Sequence, residues 1–297
     1  MEGLTAEKCR DFVRGLLSSS RRQVLIHGNA TTEEAKSMVA EARSKFSAGP
    51  PRGPFVKRLA LLKPGQRFVH SALAQNPQEK NSASEVYFQV GEENDSDYAA
   101  LSLLEQLVYE PFFDQLRTKE QLGYSVSCGV RNTFGVLGFC FSVVSAKVSP
   151  PEIEERVESF LEQFVETVRG MAEEEWRQNV KSAVEAKHQQ DQTLGEEAER
   201  HWGQLSSGRY EFFQQLEIAE RISSTTKEAF LAWFGRHISA KSDERRALRV
   251  RVFGRESEGR GEDQGSYSAG DLMNFREEVA TLERKTEPAR EGEHPKC

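Results

Sequence analysis

The chain has 297 residues, 40 basic and 47 acidic, for a formal net charge of -7. That length predicts about two domains and is ample for a large buried core, and 18 phenylalanines argue against disorder over most of it. The acidic balance leaves no cation excess to neutralise phosphates, which excludes a general nucleic-acid binder, and no run approaches the roughly 18 apolar residues that span a bilayer.

Residues Met1 to Arg10 hold charges at Glu2, Lys8 and Arg10 and no apolar core, so no secretory signal is read there. The four cysteines, Cys9, Cys128, Cys140 and Cys297, are scattered and form no Cys-x-x-Cys pair. They favour a reducing compartment, the cytoplasm first and the mitochondrion second.

Thr5 to Ser18 has helical spacing, with Cys9, Phe12, Val13, Leu16 and Leu17 on one face. Arg22 to Gly28 reads as a short strand, and Thr31 to Phe46 as a second helix capped by Thr31. This is too little sheet for a domain, so residues 1–48 are expected to be the remnant of one. Three prolines and two glycines in Gly49-Pro50-Pro51-Arg52-Gly53-Pro54 mark a linker, residues 49–55.

Residues 56–254 read as a second domain. Arg67 to Gln75 and Ser84 to Gly91 are predicted strands. Asp95 to Gln115 is a predicted apolar helix in which Pro111 should cause a kink or an end near Glu110. Leu122 to Arg131 and Phe134 to Ala146 form a predicted hairpin, and Gly135 and Gly138 suggest a bulge or a close backbone approach. The neighbouring strands would allow a Cys128–Cys140 bridge, although the compartment argues against one. Ser149, Pro150 and Glu152 spell a capped helix start. An apolar stripe from Ile153 to Val168 follows, with Gly170 as the stop. Further helices are predicted from Ala172 to about Gln190, Gly195 to Ser206 and Lys227 to Phe234, then a closing strand from Ala247 to Phe253. Residues 255–297 read as a flexible tail with weak helical spacing at Leu272 to Leu282. The class is α+β, an antiparallel sheet with helices packed on one face.

Most catalytic constellations are missing from the sequence. No two of the histidines His27, His70, His188, His201, His237 and His294 are four apart, so neither His-Glu-x-x-His nor its inverse occurs. His188 and His201 are the nearest pair, on different helices, and read as solvated. The runs Glu154-Glu155 and Glu173-Glu174-Glu175 also read as solvated helix faces. Cys128 and Cys140 read as small buried strand residues rather than nucleophiles.

The junction Leu116-Arg117-Thr118-Lys119-Glu120-Gln121-Leu122-Gly123-Tyr124 is distinctive. Locally, Arg117 and Lys119 suit a helix C-terminus, Gly123 would permit an unusual backbone angle, and Tyr124 would be a strand aromatic. The string following Phe112-Phe113-Asp114-Gln115 resembles the insulin-degrading enzyme and nardilysin family of inverted-motif zinc metallopeptidases. Leu25-Ile26-His27-Gly28-Asn29 and Tyr87-Phe88-Gln89 are similar to strands of that family. Arg131 to Phe139 and Leu194-Gly195-Glu196-Glu197 with Trp202 lean towards nardilysin. About residues 5–255 are alignable.

The resemblance implies an αβ-roll metallopeptidase domain preceded by part of another, together the end of a third domain and a whole fourth. It implies endoproteolysis of peptide substrates in a closed chamber. Zinc would belong to the complete enzyme and sit on an N-terminal half, present in cis or in trans, with no metal ligand on this chain. It assigns Arg117 and Tyr124 as auxiliary catalytic and substrate-binding residues that reach the reacting carbonyl, and His27 as a structural strand end. The alternative is a catalytically inactive peptide-binding or partner-subunit protein. The acidic surface would attract basic peptides.

Overall fold

The computed structural model describes residues 3–20, 22–45, 56–255 and 280–285. They divide into two units, one of Met1–Lys57, Gln190–Phe212 and Lys285–Cys297, the other of Arg58–Gln189 and Phe213–Arg284. The expected linker at 49–55 and most of the expected tail lie outside the described residues.

In the first unit, α1 spans Ala6–Ser19 and α2 spans Thr32–Lys45. Thr5 caps α1, its side chain accepting from the Lys8 N–H. Thr31 and Glu34 form a reciprocal capping box at α2: the Thr31 hydroxyl accepts from the Glu34 N–H at 3.3 Å, and the Glu34 carboxylate accepts from the Thr31 N–H at 2.8 Å. Residues 22–28 form no strand. A strand needs a hydrogen-bonded neighbour, and none lies beside this segment among the described residues. Helix α6, Leu194–Ser207, groups with this unit. Gln23 donates to the Tyr210 hydroxyl at 2.8 Å and the Lys57 ammonium donates to the Ser206 carbonyl at 3.0 Å.

The second unit is built on a mixed five-stranded sheet. Its strands are β2 (Arg67–Leu73), β3 (Ser82–Glu92), β4 (Ser125–Thr133), β5 (Val136–Ser145) and β6 (Arg246–Phe253), in the order β2-β6-β3-β5-β4. All neighbours are antiparallel except β2 and β6, which run parallel. That parallel edge pair departs from the all-antiparallel expectation, while the α+β class holds. A separate pair joins β1 (Val56–Leu61) to β7 (Ala280–Lys285). Neither strand was read from the sequence. The end of the expected helix at Leu272 to Leu282 is strand instead, where Thr281, Leu282 and Glu283 alternate exposed and half-buried. Residues 272–279 lie outside the described part.

The core lies between the sheet and helices α3 (Asp95–Phe113), α4 (Pro150–Gly170), α5 (Glu173–His188), α7 (Gln214–Ser224) and α8 (Lys227–His237). Helix α7 was not anticipated. Its buried apolar face is Ile218, Ala219 and Ile222, with Gln214 buried beside them, a weak signal between polar residues. The stripe on α4 is buried as its spacing predicts: Ile153, Val157, Phe160, Leu161, Phe164 and Val168. Ser149 is the N-cap but makes no side-chain capping bond, so the capping box does not form. Phe112 packs edge-on against Phe141 at 4.9 Å and Phe160 at 5.3 Å. Each such buried ring contributes roughly 1.5–3 kcal/mol by transfer from water.

The hairpin of β4 and β5 turns at Phe134 and Gly135, both with positive φ (49° and 86°), as a two-residue turn of the type I′ kind requires. The Asn132 side chain accepts from the Gly135 N–H at 2.9 Å. A Cβ on Gly138 would sit 2.2 Å from the Tyr87 ring, so the close approach expected there is present. The bulge falls on the partner strand, between Gln89 and Gly91.

One buried layer reverses a sequence reading. Glu154 is 5% exposed and holds Arg251 in a two-pronged bond, both contacts at 2.7 Å, while the Ser84 hydroxyl donates to it at 3.0 Å. Glu158 pairs with Arg245 at 2.8 Å and with Arg249 at 2.7 Å. So Glu154 is not part of a solvated face, although Glu155 is exposed. The alternation in β6 turns Arg249 and Arg251 towards α4 and leaves Leu248, Val250 and Val252 half-buried on the other side.

Cys128 lies opposite Phe141 and Cys140 lies opposite Gly129, so the two thiols occupy opposite faces of the sheet and are free. Burial pushes each up to about 12, and the Glu105 charge adds to this at Cys128. At about pH 8, iodoacetamide should modify exposed Cys9 and spare Cys128 and Cys140 until denaturant is added. Peptide mass mapping reads this directly. Rapid alkylation of Cys128 in the folded chain would reopen a nucleophilic role.

Candidate functional site

Helix α3 does not end at Pro111. Pro111 has no N–H to offer the carbonyl one turn back, and the helix continues to Phe113 and then widens into a π-helical turn, Asp114–Lys119. The Glu120 N–H bonds the Gln115 carbonyl at 2.9 Å, and the Leu122 N–H bonds the Leu116 carbonyl at 3.0 Å. Such widened turns are frequent at functional sites. Leu116 and Leu122 are buried and pin the two ends of the segment. Between them Arg117 is half-buried, and just beyond them Tyr124 is 69% exposed.

The left-handed residue is Gln121, with φ of 53°, and not Gly123 as expected. That strain at a non-glycine costs roughly 1–2 kcal/mol. Gly123 is needed for another reason: a Cβ there would lie 1.8 Å from the Val144 carbonyl oxygen. Gly123→Ala should therefore destabilise the chain by about 3 kcal/mol or more, because rigid backbone has to move. A denaturant midpoint unchanged from wild type would show that this contact yields freely.

Arg117 and Tyr124 line one open depression of about 640 Å³, together with Phe113, Gln121, Gly123 and Lys147. Among the described residues neither the guanidinium nor the phenol has a hydrogen-bond partner. The pair supplies donors suited to a carbonyl or carboxylate oxygen. Among the described residues no Asp, Glu, His or Cys lines the depression, so these residues hold and polarise but include no side-chain base. A larger groove of about 910 Å³ between α3, α4 and α5 carries mixed charges, including Glu105, Glu110, Asp114, Lys119 and Lys187.

His201, read from the sequence as solvated, lies beside His27: the rings are 5.6 Å apart, and Glu197 lies 3.2 Å from His27 and 3.7 Å from His201. This cluster had no sequence signal, because its members are separated by about 170 residues. Among the described residues no group of three or more His, Cys, Asp or Glu side chains is arranged to hold a metal ion. The zinc of the resembled family therefore does not fit this part of the chain, and no catalytic step is assigned to a metal here.

Known proteins are similar to this chain in sequence and in fold. Residues 103–202 match the family described as PQQ synthase PqqF-like, C-terminal lobe domain 4. Human nardilysin is 29% identical over 283 residues, covering 93% of this chain and 24% of that protein. Insulin-degrading enzyme-like 1, peroxisomal, of Arabidopsis thaliana is 29% identical over 259 residues, covering 84% and 27%. The crystal structure of pitrilysin has the same fold over 95% of this chain and 30% of its own, with a TM-score of 0.77 and 21% identity. The chain is thus similar to members of the pitrilysin, nardilysin and insulin-degrading enzyme family, and residues 103–202 to a C-terminal lobe domain. It spans about a quarter of the length of the relatives it matches.

Proposed function

We propose that this chain acts as the C-terminal lobe of a peptidase of that family, forming part of the wall of a peptide chamber. Its substrates are peptides, and its partner is an N-terminal half, in cis or in trans, that carries zinc and the group activating water. Arg117 and Tyr124 hold the substrate and donate hydrogen bonds to the oxygen on which charge develops. The observation that carries this reading is the pinned π-helical turn, which brings both donors to one open depression. Because the donors and the metal would sit on different halves, turnover would depend on closure.

A second reading is favoured by the lining, which has donors but no acid–base pair: a lobe that binds peptides and hydrolyses none. One experiment separates the two. Zinc content and peptidase activity are measured on the purified chain alone and after mixing with a zinc-bearing N-terminal half from a relative. Inactivity alone and activity on mixing supports the first reading. Peptide binding without activity in any mixture supports the second. Chelator-sensitive activity of the lone chain would overturn both.

A further inference from the structure

The depression is cationic within an acidic protein. Among the described residues its charged lining consists of Arg117 and Lys147 with no carboxylate, although the whole chain carries a net charge of -7. The acidic residues closest in sequence to Arg117 are committed elsewhere. Asp114 pairs with Lys119 at 2.8 Å, and Glu120 accepts from the Gln115 amide at 2.8 Å and lies 3.7 Å from Arg156. Among the described residues neither Arg117 nor Lys147 has an ion-pair partner.

Both cations are held by local structure. Arg117 rides on the π-helical turn. Lys147 follows Ser145, a fully buried residue whose hydroxyl donates to the Leu122 carbonyl and accepts from the backbone N–H groups of Lys147 and Val148 at 3.0 and 3.2 Å. One hydroxyl thus ties the start of β4 to the loop bearing the second cation. Phe113, 43% exposed, and Tyr124 supply aromatic walls. Two unpaired cations between aromatic surfaces suit a carboxylate on an otherwise apolar peptide segment.

We infer that this depression is a subsite for a peptide carboxylate, with Lys147 as a specificity-determining residue that favours acidic over neutral peptides. The inference rests on the peptide-binding reading above and names the substrate class for its site. It also sets the local preference against the basic peptides that the overall charge would attract at long range.

The test is fluorescence anisotropy on the full 297-residue chain. The probes are labelled pentapeptides of one apolar sequence: one with a central glutamate and an amidated end, one with glutamine in its place, and one neutral with a free C-terminal carboxylate. Wild type should bind the glutamate peptide about tenfold more tightly than its glutamine counterpart at low salt, and the difference should shrink as salt screens exposed charges. Lys147→Met should reduce the preference to about threefold or less, while Lys147→Arg should keep it. Lys147 is exposed, so these variants should fold, and circular dichroism checks that. Preference for the free-end peptide instead would assign the subsite to a C-terminal carboxylate, and preference for the internal glutamate to a side chain. Neutral peptide binding with no acidic preference, or a preference that survives in Arg117→Met/Lys147→Met, overturns the inference alone. No binding of any peptide overturns it together with the peptide-site reading.

Discussion

Arg117→Ala and Tyr124→Phe are each expected to lower turnover of the reconstituted peptidase by about 10²–10³-fold, the cost of removing one donor aimed at a developing oxyanion. The phenol is the cleaner probe, since Tyr124→Phe removes a single hydroxyl from a residue that is 69% exposed and carries no structural contact through its oxygen among the described residues. A donor acting only in the transition state lowers kcat and kcat/KM together. One acting equally in the bound state raises KM and spares kcat. The arginine, at the rim of a cationic depression, should show some of both effects. Wild-type turnover in either variant, with zinc occupancy unchanged in the partner half, would sink the assigned role.

Glu154→Ala should destabilise the chain by about 3–5 kcal/mol, because it strands the Arg251 guanidinium in a buried layer without its carboxylate, while Arg249 keeps Glu158. Arg251 is 8% exposed and cannot recover its hydration without disturbing the sheet. Glu154→Gln keeps the shape and a hydrogen-bond acceptor, so its loss should be smaller. Urea denaturation of the three proteins gives the order directly, and equal midpoints for wild type and Glu154→Ala would show that water reaches Arg251 after all. A replacement of the whole network by apolar residues of matching volume is expected to be tolerated far better than removal of one partner. The network holds α4 against β3 and β6, and so indirectly fixes the side of the sheet on which the helices gather.

Much of this architecture was legible in local pattern. The stripe on α4 and the capping residue Thr31 are short-range features whose energetics involve residues three or four apart. The site segment was legible as a contiguous string, and that string also carried the family resemblance. Its geometry was less so. Pro111 suggested a kink or an end near Glu110, whereas α3 runs on to Phe113 and then widens into the π-helical turn that carries Arg117. Gly123 suggested a rare backbone angle, whereas the angle is borne by Gln121 and the glycine serves a contact with Val144 on another strand.

The sequence by itself determined the α+β class, most of the elements, the absence of a paired-histidine metal motif and the two donors to examine. The first three follow from residue type and near-neighbour spacing, whereas the donors Arg117 and Tyr124 follow from the family resemblance of one contiguous string. Only the tertiary structure decided which face of β6 meets the helices, that β2 joins it in parallel, that α6 groups with the N-terminal segment, and that Lys147 shares a depression with Arg117 and Tyr124. Each of those is a contact between residues distant in the chain. An alternating strand such as Ala247 to Phe253 is compatible with either face being buried, and the choice turned on two glutamates on α4, nearly a hundred residues earlier, that could accept its arginines.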